Sequence, residues 1–295
     1  MVYVREEHDE YTYDWDYSTY DDEDKKILKI TKSSAMTFNW CPRKYQFNYP
    51  LNLPQDQTPA MAKGSIIHNA VENYWNEFDI IKAENMDRTQ LLNYSNSLFP
   101  IDDYSDMYHT ISAFQTERFF TAKENDTLDE YCPIGNEIKL NARYMIMRNQ
   151  DPKFPLTRDY EVHLQGIIDR LFLENGGYIP MELKTGLWKD YQQTNMRKES
   201  AFYKLLIEQT NDDQLRELGL DPNIPVTHWG WYYPASNYVY VEKQKQSSTT
   251  ALLKGIARLI YSYENAHFET KYYYKTCSHC SYVGICDAAQ KDTWL

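Results

Sequence analysis

The clearest helical stripe in the chain runs over residues 62–78, where Ile66, Ile67, Ala70, Val71, Tyr74 and Trp75 recur at the spacing of one helix face. Upstream, residues 31–49 read as a helix that Thr31, Ser33 or Ser34 can cap and that Pro42 interrupts. Ordered structure is expected from about Ile27. Residues 103–121 predict a third helix, whereas 137–147 fit strand or helix equally well. Residues 160–173 and 178–184 predict two strands, with Glu174-Asn175-Gly176-Gly177 as the turn between them. A helix over 194–209, a second hairpin over 226–241 and a long helix over 248–267 complete the pattern. No internal repeat and no low-complexity linker follow residue 26. The expectation is α/β: a central mixed β-sheet flanked by helices, in one domain over residues 27–295.

The first hairpin carries the most chemistry. Gly166-Ile167-Ile168-Asp169-Arg170-Leu171 lies in its first strand and Pro180-Met181-Glu182-Leu183-Lys184-Thr185-Gly186 spans its second. Strand side chains alternate, so Glu182 and Lys184 share a face and Leu183 takes the other. With Asp169 on the partner strand, two carboxylates and an ammonium meet at one sheet edge. That group can hold a hard divalent cation and steer a water beside it. The competing reading is a surface hairpin of alternating charge.

Other residues bear on that choice. His68 lies on the 62–78 helix with Glu72 one turn later on the same face, so His68 can bind a metal through one nitrogen while Glu72 orients the other. Equally, His68 can be a half-buried histidine with a hydrogen-bond partner. On the helix after the strands, Glu199 and Tyr203 share a face and Arg197 precedes them; they can grip a phosphate or a water, or form a surface pair and a core tyrosine. Cys277, Cys280 and Cys286 are spaced tightly enough to be a ligand set that lacks a fourth member. Cys41, in Trp40-Cys41-Pro42-Arg43-Lys44-Tyr45, Cys132 and His279 are all candidates.

Charge and composition narrow the partners. The net charge of −12 argues against nucleic acid, but residues 1–24 hold ten acids against one base, a net of −9 that leaves −3 for the remainder. That remainder can carry a basic groove beside a carboxylate-rich site. Residues 1–26 read as an acidic, tyrosine-rich disordered arm. Apolar residues make up 42%, enough for a core, yet no run of about eighteen exists to span a membrane. The N-terminus does not read as a secretory signal, so a cytoplasmic protein is expected. Five cysteines, an odd number, do not suggest a disulfide scaffold.

In this order the motifs resemble the RecB-like branch of the PD-(D/E)XK nuclease superfamily, and within it the iron–sulfur nucleases related to CRISPR-associated RecB-like exonucleases and the AddB nuclease domain. The likeness runs from Thr31 to Asp287. It rests on Cys41-Pro42-Arg43-Lys44-Tyr45, on Gly64-x3-His68, on Gly166-Ile167-Ile168-Asp169, on Glu182-Leu183-Lys184-Thr185-Gly186 and on Cys277-x2-Cys280-x5-Cys286. The resemblance implies a restriction-endonuclease-like core. It implies that His68, Asp169, Glu182 and the Leu183 carbonyl hold Mg²⁺ or Mn²⁺, and that Lys184 orients or helps deprotonate the attacking water. Cys41, Cys277, Cys280 and Cys286 would hold a [4Fe–4S] cluster that joins the N- and C-terminal segments, leaving Cys132 over. Glu199 stands where the family's helix motif has glutamine, four residues before Tyr203, so it can join the metal shell or repel a phosphate unless Arg197 neutralises it.

The activity implied is DNA exonuclease, with endonuclease activity as an addition, on single strands or duplex ends in repair, recombination or spacer processing. A helicase or integrase would be a separate chain, and a homo-oligomer is compatible. Arg43, Lys44, Arg170, Lys189 and Arg197 are candidate phosphate contacts. Two alternatives stay open: a non-catalytic DNA-binding module with a structural metal cluster, and an enzyme stapled by zinc.

Overall fold

The computed structural model describes residues 28–55, 57–270, 273 and 277–290; the acidic arm expected over 1–26 lies outside them. The chain divides into two compact units built from interleaved segments. One holds the described residues up to 55, Asn141–Gln165 and those from Gln246 onward; the other holds Gln57–Leu140 and Gly166–Lys245. Two strands, β2 (Gly135–Ile146) and β3 (Tyr160–Glu174), run from one segment set into the other.

In the first unit, β1 (Leu28–Thr31) pairs in parallel with the start of β3, Leu28 beside Val162 and Thr31 beside Gln165. Helix α1 (Lys32–Trp40) follows without a break because Thr31 caps it. The Ser34 amide donates to Thr31 Oγ1 at 3.1 Å and the Thr31 amide to Ser34 Oγ at 2.9 Å, a reciprocal capping box. Cys41 closes α1, and Pro42 opens α2 (Pro42–Asn48), where a missing amide hydrogen costs nothing. Helix α9 (Gln246–Glu264) packs on α1; a Cβ at Gly255 would lie 3.0 Å from Asn39 Oδ1. Tyr45 and Tyr263 share a buried hydroxyl contact of 3.1 Å beside Phe268. The tail returns to α2: the Phe47 and Tyr282 rings meet at 5.2 Å, and Tyr282 Oη donates to the Leu53 carbonyl at 3.0 Å.

The second unit is a mixed sheet with helices on both faces. From Gly166 onward, β3 pairs antiparallel with β4 (Gly177–Leu183), in register Arg170 with Met181. The turn between them puts Asn175 and Gly176 at φ of +50° and +71°, a conformation that asparagine and glycine adopt readily. β4 runs parallel to β5 (His228–Tyr233), and β5 antiparallel to β6 (Tyr238–Lys243). Helices α3 (Pro59–Glu77), α4 (Ile80–Glu84), α5 (Arg88–Ser97) and α6 (Ser105–Glu124) cover one face, over Phe172, Ile179, Leu183 and Tyr232. Helix α7 (Gln193–Gln209) covers the other; a Cβ at Gly166 would sit 2.8 Å from Leu206 and 3.4 Å from Phe202. The motif glycine is therefore the place where α7 touches the sheet.

The ambiguous 137–147 stretch is strand β2, which pairs with β3. The expected helices over 62–78, 103–121, 194–209 and 248–267 and both hairpins fall where their patterns place them, with ends shifted by a few residues, and the helix expected over 31–49 is divided at Cys41 into α1 and α2. Missed were β1, only four residues long, α8 (Asp212–Glu217), of six residues, and α4 and α5, whose exposed faces dilute any apolar stripe. The N-caps Asp79 and Asp87, the latter boxed by Gln90, were the available signal for those helices. Among the described residues no helix is long and apolar enough to cross a membrane.

Gly230 tests the packing of β4 against β5. A Cβ there would lie 2.2 Å from Met181 Sδ and 3.0 Å from the Tyr240 carbonyl. Gly230→Ala is expected to lower stability in urea unfolding by about 1–3 kcal/mol, and adding Met181→Ala should recover part of the loss.

Candidate active site

The pairing of Arg170 with Met181 carries Asp169 and Glu182 to the same end of β3 and β4. Both are buried, at 9% and 5% exposure, which commits their charges to local partners. Asp169 Oδ2 accepts a hydrogen bond from the Leu183 amide at 2.9 Å. From α3, His68 reaches the same point: Nε2 lies 3.1 Å from the Leu183 carbonyl and Nδ1 3.5 Å from Asp169 Oδ2. The second ring nitrogen thus faces Asp169, where the sequence suggested Glu72. The helix stripe and the hairpin, 115 residues apart, converge on the Leu183 backbone.

On the α7 face the carboxylates are bridged. Lys184 Nζ donates to Glu182 Oε1 at 2.7 Å and to Glu199 Oε2 at 2.9 Å. Burial pulls the Lys184 pKa down, but the two carboxylates more than reverse that, so it titrates well above the ordinary lysine range. Tyr203 Oη donates to Glu182 Oε2 at 2.6 Å. Burial, and then Glu182, hold that phenol far above its usual pKa, so it remains a donor. Glu199 therefore engages Lys184 itself. Arg197 does not neutralise it; its guanidinium forks onto Glu242 at 2.8 and 3.0 Å. A cavity of about 330 Å³ opens beside Lys184, lined among others by Thr185, Gly186, Gln192, Asn195 and Glu199.

One residue escaped the sequence reading. Glu137, near the start of β2, brings its carboxylate to His68 and Asp169, with one ligand atom of each within 4.8 Å of the others. Burial raises its pKa to about 7, helped by Asp169, Glu72 and Glu182 and opposed by Arg170. Nothing in the spacing of motifs points to it, because β2 reaches the site only through the fold.

The candidate phosphate contacts divide. Arg170 is 6% exposed, on the sheet face under α3 and α6 beside Val71, Trp75 and Phe114, so it does not present its guanidinium to a DNA backbone as expected. Strand alternation is the reason: it opposes the face of Asp169. Lys189 stays exposed, while Arg43 and Lys44 line another cavity. That cavity, in the first unit, is also lined by Trp40, Cys41, Cys277, Cys280 and Cys286. Burial pushes the Cys280 thiol up, with Cys41 and Cys286 adding to the shift and Lys44 opposing it. Cys132 lies in the second unit, packed against the α3–α6 core, and His279 is exposed away from the thiol cavity.

The family model of the PD-(D/E)XK nuclease superfamily matches residues 29–287. No curated protein sequence matches the chain. Among solved structures, the crystal structure of SSO0001 is 12% identical with a TM-score of 0.38, over 90% of this chain and 89% of that one. Rai1 of Scheffersomyces stipitis is 10% identical with a TM-score of 0.22, over 81% of this chain and 61% of that one. Neither likeness is close enough to carry a fold or an activity.

Removing the bridging ammonium gives a prediction with a sign. In Lys184→Ala, Glu182 and Glu199 face each other without their cation, so their folded-state pKa values rise above the unfolded ones. The folded chain then gains protons relative to the unfolded chain as pH falls. The loss of stability should reach about 3 kcal/mol at pH 8 and shrink toward pH 5. Thermal melts of both proteins across that range measure it; a deficit constant with pH would contradict the bridging role.

Proposed function

We infer that this chain, which belongs to the PD-(D/E)XK nuclease superfamily, is a metal-dependent nuclease that hydrolyses phosphodiester bonds in DNA. We assign it to the RecB-like iron–sulfur branch as an exonuclease on single strands or duplex ends. The observation that carries this reading is the convergence of Asp169, Glu182 and Lys184 at one sheet edge with His68 beside them. A surface hairpin would leave those groups in water; here both carboxylates are buried.

The residues fit a divalent ion. His68 offers a nitrogen, Asp169 and Glu182 offer hard oxygens, and the Leu183 carbonyl already lies 3.1 Å from His68. A bound Mg²⁺ or Mn²⁺ would supply Lewis-acid polarisation of the scissile phosphate and acidify water. An imidazole ligand favours Mn²⁺ over an all-oxygen site. Lys184, kept cationic by Glu182 and Glu199, places a positive charge where the transition state gains negative charge. It therefore orients the attacking water and stabilises charge, and leaves deprotonation to other groups. Tyr203 fixes the rotamer of Glu182 from beneath. Lys189 meets backbone phosphates, and exposed aromatics such as Tyr191 provide faces on which bases stack.

The thiols fit a cluster. Four cysteines from both ends of the chain line one cavity in which Lys44 also stands, the donor set of a [4Fe–4S] centre. The cluster would join α1 and α2 to the C-terminal tail, so that residues 27–295 work as one nuclease domain. Such a protein belongs in a reducing, cytoplasmic compartment, and serves repair, recombination or spacer processing beside a helicase or integrase on another chain.

Digestion of 5′- and 3′-labelled single-stranded DNA with Mn²⁺ tests the reading. Wild type should cut, and Lys184→Ala should cut about 10²–10³-fold more slowly while still binding DNA. If both bind and neither cuts, the chain is a DNA-binding module instead. Anaerobic purification should yield a brown protein with roughly four irons per chain; a colourless protein carrying zinc would replace the cluster with a zinc staple.

A further inference from the structure

We propose that Glu137 is a ligand of the same divalent ion, supplied by the beginning of β2 and absent from every motif that marks the rest of the site. The proposal rests on the nuclease reading above and assigns the ion a residue that reading lacks.

Geometry comes first. Ligand atoms of His68, Glu137 and Asp169 lie within 4.8 Å of one another. Three atoms so placed can share a single ion once the side chains close in slightly to ordinary distances of about 2.0–2.6 Å. The set combines one imidazole and two carboxylates, a hard, half-anionic shell suited to Mn²⁺ and Mg²⁺.

The engagement of the neighbouring acids points the same way. Glu182 has one oxygen on Lys184 at 2.7 Å and the other on Tyr203 at 2.6 Å. Among the described residues, no hydrogen-bond donor holds the Glu137 carboxylate. This half-buried carboxylate is directed at a histidine and a second carboxylate, a grouping that one cation can satisfy.

The backbone supplies an independent sign. Glu137 has φ of +47°, in the left-handed region. For a residue with a long side chain that costs about 1 kcal/mol or more. Gly135 and Asn136, the two residues before it, would have taken this conformation at less cost. The strained residue is the one whose carboxylate meets His68 and Asp169, as expected where the site demands a particular direction. With Glu137 on the ion as well, Glu182 can share its oxygens between the ion and the hydrogen bonds from Lys184 and Tyr203.

Calorimetric titration of the metal-free full chain with Mn²⁺, without DNA, tests this apart from activity. Glu137→Gln should weaken Mn²⁺ by tenfold or more, and Asp169→Asn should do at least as much. Glu137→Asn, the residue type that best tolerates a left-handed backbone, guards against a folding defect. It should melt no lower than wild type without metal and show the same loss of affinity. If both Glu137 variants bind Mn²⁺ within twofold of wild type while Asp169→Asn does not, Glu137 is no ligand and the nuclease reading stands. If wild type itself takes up no Mn²⁺, both fall.

Discussion

A single ammonium organises the sheet edge. Lys184 spans Glu182 on its own strand and Glu199 on α7, at 2.7 and 2.9 Å. Two carboxylates this close and this buried would repel each other and draw protons without it. The same bridge ties α7 to β4, and Tyr203 reinforces it one turn further along the helix. A glutamine in place of Glu199 would leave Lys184 with one counter-charge. The glutamate instead keeps it firmly protonated, which suits a group that stabilises charge and ill suits one that must accept a proton.

Around that bridge the site is over-supplied with acids. Burial first, and then Asp169, Glu72 and Glu182, push the Glu137 carboxyl up to about 7. Glu242, by contrast, is matched to Arg197 by direct contact. A site that gathers buried carboxylates around a histidine beyond what its own cations hold is arranged for a cation from outside. In the second unit this edge is also where the packing of α7 at Gly166 and of α3 on the sheet brings two helices to the ends of the same strands.

The first unit obeys a different constraint. Its ends are already closed by aromatic contacts, Tyr45 against Tyr263 and Phe47 against Tyr282, and by backbone bonds such as the Arg43 amide to the Glu269 carbonyl at 3.2 Å. The four thiols line a pocket between segments brought together in this way. Ring packing positions the thiols, and a cluster bound there would lock what the rings have aligned.

The sequence by itself determined the elements with strong local patterns. The α3 stripe, the Asn175-Gly176 turn, the alternation of Glu182 and Lys184 and a cap among Thr31, Ser33 and Ser34 are all set by neighbours a few residues away, so the chain alone reveals them. The motif residues His68, Asp169, Glu182 and Lys184 could be named from type and spacing for the same reason. Only the tertiary structure decided what they touch. Glu199 meets Lys184 because α7 docks on β4, Arg170 is buried because strand alternation turns it under α3–α6, and Cys132 packs against the α3–α6 core and does not line the thiol cavity. Glu137 belongs to the site only because β2 pairs with β3. Such contacts depend on how distant segments pack, and one-dimensional periodicity carries no record of that.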